Sequence, residues 1–445
     1  MLYVMDNVNV NVNVDDEQAK GFPMDALLTP RLIHAVPPQL GTYLRPNQVD
    51  HKALLAFLAG GTPAGLDGVV FDPTLDSIHG ELRDEVRERG MESILDPRAM
   101  ELALIGGFVG ARRALPWAGK QAHDCASLTG TAGRDCVKRI VEWAAPRRFS
   151  SILAPTHYLA EGFADPWFGI DRDLAVAFRE ALNEAGMDKV PIYYPLAIKG
   201  EVFFDKRQRD QLHAALGALP VDAIWLRVQP FGTRSSGNVV RKYIRACADL
   251  HPTALPLVAE KSGTTGLALL AFGAVGAIES GVTIGEHFDA NGLLSLREGG
   301  KAFTPQARIY IPELQIFLSK KQARAFFENR TIRSYYACKE DDCCPRGSDD
   351  TLVNPKRHFL RRRTGEIKRL SDLPQSLRAS RYMEEILRPA TDRMSKAVKA
   401  EPQLESTRER LDTLRRVLGA ILENEQPTTF SAVPEGKRIQ IRRGA

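Results

Sequence analysis

The chain has 445 residues, 44% of them hydrophobic and 26% charged. That balance excludes a disordered, collagen-like or bilayer-embedded protein, and the length exceeds what one ordinary core accommodates. The net charge of +5 is unevenly placed: residues 351–445 hold 21 Lys and Arg against 12 Asp and Glu, so the excess positive charge sits near the C-terminus, as a site for a polyanionic partner or a solvated helical surface.

The opening MLYVMDNVNVNVNVDDEQAK has neither the basic start nor the unbroken apolar run of a secretory signal. The longest apolar run, LALLAFGAVGAI (267–278), stops at Glu279 and is too short to span a bilayer. The expectation is a cytoplasmic protein without membrane association, whose thiols stay reduced and whose clustered cysteines favour a metal over disulfides. Residues 1–28 read as an arm. Its VNVNVNV alternation fits either an edge strand or a disordered stretch.

From residue 30 a unit recurs: a short apolar run, usually closed by proline, and often a helical pattern after it. The runs are RLIHAVPP (31–38), GVVFDP (68–73), ESILDP (92–97), SSILAP (150–155), VPIYYP (190–195), AIWLRVQP (223–230), LPLVAEKSG (255–263) and GAIESGVTIGE (276–286). LDSIHGELRDEVRERG, RDLAVAFREALNEAG and SGNVVRKYIRACADL are helices between them. Eight apolar strands alternating with helices predict an α/β fold, a parallel (β/α)8 TIM-like barrel, with a doubly wound open sheet as the competitor. The stretch 105–150 is long for one connection and predicts an excursion over the barrel mouth.

After residue 300 the texture becomes helical. The segment IYIPELQIFLSKKQARAFFENRTI enters extended and continues as helix, and LESTRERLDTLRRVLGAILEN aligns Leu404, Leu411, Leu414, Leu418 and Ile421 on one stripe. Between them lie Cys338, Cys343, Cys344 and His358. Three thiolates and an imidazole form a closed, structural Zn2+ set. The Cys344-Pro345-Arg346-Gly347 turn lets adjacent cysteines reach one ion, and Pro355 opens a helix that presents His358. Three reduced thiols near a surface histidine is the plain alternative. The domains read as an arm (1–28), the barrel (29–300), a late zinc-binding element (301–370) and a C-terminal helical, basic region with a loose tail (371–445).

A barrel followed by a Cys338-x4-Cys343-Cys344-x13-His358 element resembles the tRNA-guanine transglycosylases and their relatives that insert 7-deazaguanines into DNA. The resemblance implies a TIM barrel, a structural zinc, a tRNA or DNA partner and base exchange at a glycosidic bond. The family's own zinc spacing is Cys-x-Cys-x2-Cys with a distant His, and its two catalytic aspartate motifs have no counterpart here.

Barrel active sites occupy the C-terminal ends of the strands. Those ends hold His34, Asp72, Asp96, Thr156, His157, Tyr194, Lys199, Arg227, Gln229, Glu260, Lys261, Glu279 and Glu286. For glycosidic chemistry, Asp72 or Asp96 is assigned as acid/base and Glu260 or Glu279 as nucleophile or stabiliser. Arg227 and Gln229 suit a purine edge. His157 and Tyr158 suit a base face, and Lys261-Ser262-Gly263-Thr264-Thr265-Gly266 suits a phosphate. Asp72 and Asp96, each before a proline, fit turn caps equally well. Arg361, Arg362, Arg363, Lys368 and Arg369 suit a nucleic-acid backbone. Two other functions fit the same residues: a non-catalytic nucleic-acid-binding or scaffold protein, and a barrel enzyme for a small phosphorylated metabolite that forms a homo-oligomer through its basic tail.

Overall fold

The computed structural model describes residues 39–295, 306–425 and 430–434. Eight parallel strands make the barrel: β1 (Gly41–Arg45), β2 (Gly68–Phe71), β3 (Glu92–Leu95), β4 (Ser151–Leu153), β5 (Ile192–Lys199), β6 (Ala223–Gln229), β7 (Leu257–Glu260) and β8 (Ala277–Gly281). They pair in sequence order. β8 pairs with β1 from Gly41↔Ala277 to Arg45↔Gly281, and β4 pairs with β5, so the sheet closes. Seven of the expected strands fall on these elements. The eighth expectation, at 31–38, lies outside the described residues together with the arm and His34. Gly41–Arg45 fills the first barrel position instead.

Alternation along each strand builds the interior. Tyr43, Val70, Ile94, Leu153, Tyr193, Trp225, Val258 and Ala277 share one buried inner cluster. Their neighbours Leu44, Val69, Phe71, Leu95, Ile224 and Leu226 join the core beneath the helices. At the N-terminal end of β3 the half-buried Glu92 accepts hydrogen bonds from Tyr43 Oη (3.0 Å), Ser151 Oγ (3.0 Å) and Tyr193 Oη (2.7 Å), which closes the barrel floor.

The outer helices start on capping side chains. Asp165 accepts from the Trp167 amide at the start of Pro166–Glu184, and Asp205 from the Gln208 amide at the start of Lys206–Leu216. The excursion after β3 is held by Trp117, whose indole donates to the Pro97 carbonyl at 2.8 Å. Beyond the barrel, an antiparallel hairpin (Ile309–Ile311 with Ile316–Leu318) precedes the helices Lys320–Glu328 and Arg330–Tyr336.

The helix Pro355–Ser371, here αZ, runs across the expected boundary at 370. The final helix, Glu405–Asn424, buries Leu411, Leu414, Leu418 and Ile421 as its stripe predicts, with Val417 added. It lies so close to the helix Gly237–Leu250 that a Cβ on Gly237 would meet Leu414 Cα at 2.8 Å. The tail is not uniformly loose. In the described stretch 430–434, the Ser431 hydroxyl accepts from the Leu257 amide (2.9 Å) and the Ser431 amide donates to the Gly273 carbonyl (3.0 Å).

Candidate active site and metal centre

One residue beyond the apolar inner layer, the same alternation turns the strands charged: Tyr43-x-Arg45, Val70-x-Asp72, Ile94-x-Asp96, Trp225-x-Arg227, Val258-x-Glu260 and Ala277-x-Glu279. Period two therefore brings Asp96, Arg227, Glu260, Glu279 and Arg45 together at the C-terminal mouth. Arg45 donates to Asp96 (Nη1–Oδ2, 2.5 Å) and Glu279 (Nε–Oε1, 3.2 Å), and its Nη2 lies 3.6 Å from Glu260 Oε2. Arg227 donates to Asp96 at 2.7 Å and to Glu260. Arg98 extends the ring, pairing with Asp72 (3.3 Å), Asp96 (3.6 Å) and Glu101 (2.9 Å).

Three buried carboxylates in one site do not respond alike. Burial opposes ionisation of Asp96, but the guanidiniums of Arg227, Arg45 and Arg98 hold it well below the usual carboxylate range. Burial acts on Glu260 too, and Arg227, Arg45 and Lys261 again win, so it is lowered. Glu279 goes the other way. It is fully buried, its one cationic contact is Arg45, and the charge of Glu260 adds to the burial effect, so its pKa is raised. Its Oε2 has no hydrogen-bond partner among the described residues. Burial also pushes Glu286, on the loop after β8, up to about 7, with neither carboxyl oxygen partnered among the described residues.

The structure reassigns several residues expected at the site. Asp72 spends Oδ1 on the amide and hydroxyl of Thr74, capping its own turn. Asp96 accepts from Arg45, Arg227 and the Arg98 amide and is an ionised anchor, so it does not fit the role of proton donor. His157 is fully buried, bonds Asp171 through Nδ1 (2.6 Å) and stacks on Trp167 at 3.8 Å, so no base face reaches it. Gln229 accepts from the Tyr158 hydroxyl and donates to Asp289 and Asn291, both at 3.2 Å. With Arg227 also engaged, both purine-edge candidates are occupied within the chain. The phosphate loop is partly engaged: the Thr264 amide donates to Thr233 Oγ1 and the Gly266 amide to the Gly263 carbonyl. Lys261 remains. Its side chain is 24% exposed and its Nζ lies 4.0 Å from Glu260 Oε1.

The expected metal ligands do converge. Cys338, Cys343, Cys344 and His358 are all buried, with one ligand atom from each within 4.8 Å of the others. Cys343 Sγ and Cys344 Sγ lie 3.5 and 3.4 Å from His358 Nδ1 and 3.6 Å from each other. The turn works as read: the Gly347 amide donates to the Cys344 carbonyl at 2.8 Å, and Gly347 has the left-handed φ of 60° that glycine permits.

Pro355 is the first residue of αZ, and αZ carries His358. His358 Nε2 bonds the Tyr310 carbonyl at 3.0 Å, which fixes Nε2 as the protonated nitrogen and leaves the Nδ1 lone pair facing the sulfurs. Hydrogen bonding among the thiols draws Cys338 downward and pushes Cys343 upward, so the three sulfurs share their protons as one coupled set. These residues can hold a metal ion, and four protein ligands leave it no open position.

The arginine run behind His358 is only partly a surface. The helical period turns Arg363 inward, over the rings of Tyr310 and Phe359, and Arg362 pairs with Glu340 and Glu313. Lys368 pairs with Asp372, while Arg361 and Arg369 are exposed. Sequence reasoning missed Arg45, Arg98 and Glu101. Arg45 carried a usable signal, since GTYLR ends at Pro46 as the other strands end at prolines. Arg98 and Glu101 lie in the excursion, where no strand period points at the mouth.

No protein-family model matches the chain, and no curated protein does. Solved structures it resembles include the endo-1,4-beta-xylanase XylE of Penicillium canescens (10% identity, 53% of this chain and 81% of that one, TM-score 0.33). An enolase protein from the Sargasso Sea environmental genome matches at 15% identity, over 56% of this chain and 54% of that one, with TM-score 0.26. Pyruvate carboxylase of Rhizobium etli matches at 10%, over 87% and 34%, with TM-score 0.34. At such scores these likenesses carry no argument, and the barrel assignment stands on the strand pairing itself.

Proposed function

We propose that the protein is a transglycosylase-like barrel enzyme that exchanges a nucleobase at a glycosidic bond in tRNA or DNA, with a structural zinc ion in the Cys338, Cys343, Cys344 and His358 cluster. The observation that carries the reading is the Glu260–Glu279 pair. The two residues are register partners on β7 and β8, share one guanidinium, and have proton affinities displaced in opposite directions. Adjacent strands lie about 4.8 Å apart, close to the roughly 5–5.5 Å carboxyl separation of a double displacement at a sugar carbon.

Glu260, ionised, attacks or stabilises the sugar carbon as the bond to the base breaks. Glu279, protonated, gives its proton to the departing base and takes one back from the incoming base. Arg227, bonded to Glu260 and not to Glu279, keeps the two carboxyls from titrating as equals. A zinc ion, when bound, would supply no chemistry at the mouth; its ligands would tie the 338–358 loop to αZ.

A groove of about 410 Å3 beside αZ supports the polymer partner. Phe57, Arg357 and Arg361 line it, offering cations beside an aromatic face, while Lys356 in the same groove is paired with Asp50. The test is incorporation of labelled guanine or 7-deazaguanine into tRNA and DNA. Exchange that disappears in Glu260→Gln and Glu279→Gln supports the reading, and zinc-replete protein that exchanges neither base into either polymer overturns it. The closure of Asp96, Arg227 and Gln229 within the chain favours a second reading, a non-catalytic nucleic-acid-binding or scaffold protein. That reading predicts retention of polymer without exchange.

A further inference from the structure

Lys261 departs from the rest of the mouth. Arg45, Arg98 and Arg227 each hold two or three carboxylates, whereas Lys261 Nζ approaches only Glu260, at 4.0 Å, among the described residues. It is also the most exposed cation of the ring, at 24% against 10% for Arg45 and Arg98 and 3% for Arg227. Its backbone is held in the left-handed region, φ 50°, directly after β7, a conformation disfavoured for a residue with a Cβ. The amide of Lys261 donates to the Glu279 carbonyl at 2.9 Å, which fixes that turn against β8. The ammonium lies 5.5 Å from the centre of the Phe288 ring, so its second neighbour is an aromatic face, which holds a cation more weakly than the carboxylates that pair the arginines.

From this placement we propose that Lys261 is an amine nucleophile of the barrel mouth, one that condenses with the carbonyl carbon of a small aldehyde or ketone. The Nζ lone pair forms the C–N bond while the carbonyl oxygen takes a proton from Glu279. The carbinolamine nitrogen returns its first proton to Glu279; its second, carried by Glu260, leaves with the hydroxyl as water, and a neutral imine remains. No electrons are gained or lost. The charged groups around Nζ suit the task. Burial and the neighbouring charges of Arg45 and Arg98 favour the neutral amine, while Glu260 and Glu279 oppose them, and the balance lowers the lysine below its ordinary value. His287 also lies in its field, from the loop that carries Phe288.

The inference goes beyond glycosidic exchange and needs only that the mouth admit a small molecule. The experiment is reductive trapping of the full chain at pH 7 with glycolaldehyde and cyanoborohydride, read lysine by lysine by mass spectrometry. Lys261 is expected to be alkylated at least about tenfold faster than Lys206, an exposed lysine paired with Asp210, with a labelling midpoint on the pH axis below that of Lys206. Glu260→Gln slows the trapping at Lys261 alone, and Lys261→Arg removes the adduct while the labelling of Lys206 persists as a control for the reagent and the far-ultraviolet circular dichroism matches the parent's as the control for folding. Equal or slower labelling of Lys261 in the unmutated protein overturns the proposal. Because no nucleic acid is present, that result is independent of the base-exchange assay.

Discussion

At the scale of single residues, the proposed exchange gives the two β7–β8 glutamates opposite duties, and substitution separates them. Glu260→Gln removes the ionised carboxylate and is expected to cut exchange on the order of 10²–10⁴-fold at every pH. Glu279→Gln has a similar cost at low pH and also erases one limb of the pH–rate profile. In the unmutated enzyme that limb falls as pH rises through the raised pKa of Glu279, because the proton to be donated is lost there. Steady-state rates across pH check both outcomes.

Glu286 offers a stability test. Its folded-state pKa is raised from the ordinary 4.5 to about 7, so its neutral form favours the native state. That contribution is full below pH 4.5 and is lost as pH rises through about 7. Glu286→Gln is therefore expected to flatten the decline and to be more stable than the parent at pH 8, by at most about 3 kcal/mol. Denaturant titrations at pH 5 and pH 8 measure the difference.

At the scale of elements, αZ joins two functions on one rod. His358 points to the sulfurs, and two turns later Glu366 accepts from the Tyr310 hydroxyl (2.9 Å) and from Gln315 (3.0 Å). Tyr310 also supplies the carbonyl that orients His358. Losing the metal should therefore loosen the hairpin as well as the loop. Cys344→Ala, or chelation of the purified protein, is expected to reduce bound zinc from one ion per chain to none and to lower Tm by at least about 5 °C. Elemental analysis and calorimetry read the two effects.

This scale is also where the sequence was most legible. Seven barrel strands, the metal set and the Leu411–Ile421 stripe follow from apolar period, proline punctuation and thiol spacing. β1 was hidden because the prolines at 37 and 38 close a more apolar run just before it. The mouth residues were visible one strand at a time, but their partners were not. Nothing in the local pattern says that Gln229 meets Tyr158, that His157 meets Asp171, or that the amides of Lys261, Thr264 and Gly266 are already used, since those bonds span 14 to 71 positions or depend on a turn.

At the scale of the whole molecule, the surplus of positive charge is smaller as a surface than as a count. Arg362, Arg363 and Lys368 are committed to Glu340, Glu313, Glu366 and Asp372, so binding to a polyanion falls to residues such as Arg357, Arg361 and Arg369. Retention of tRNA or DNA is expected to weaken steeply with salt. The double variant Arg361→Ala with Arg369→Ala should reduce the slope of log K against log[salt] by roughly 1.5–2, whereas Arg362→Ala should leave the slope unchanged and lower stability instead. Filter binding from low to high salt tests this.

The docking of Ser431 beneath the barrel has a practical corollary. The Leu257 amide starts the very strand that ends in Glu260 and Lys261, and its acceptor is borrowed from a point 174 positions downstream. The acceptor at the start of that strand is therefore in place only once the segment around residue 431 has been made and docked. A version cut after residue 425 is expected to exchange its β7 amide protons faster than the intact chain in hydrogen–deuterium experiments, which makes the far terminus a stitch in the cylinder it follows.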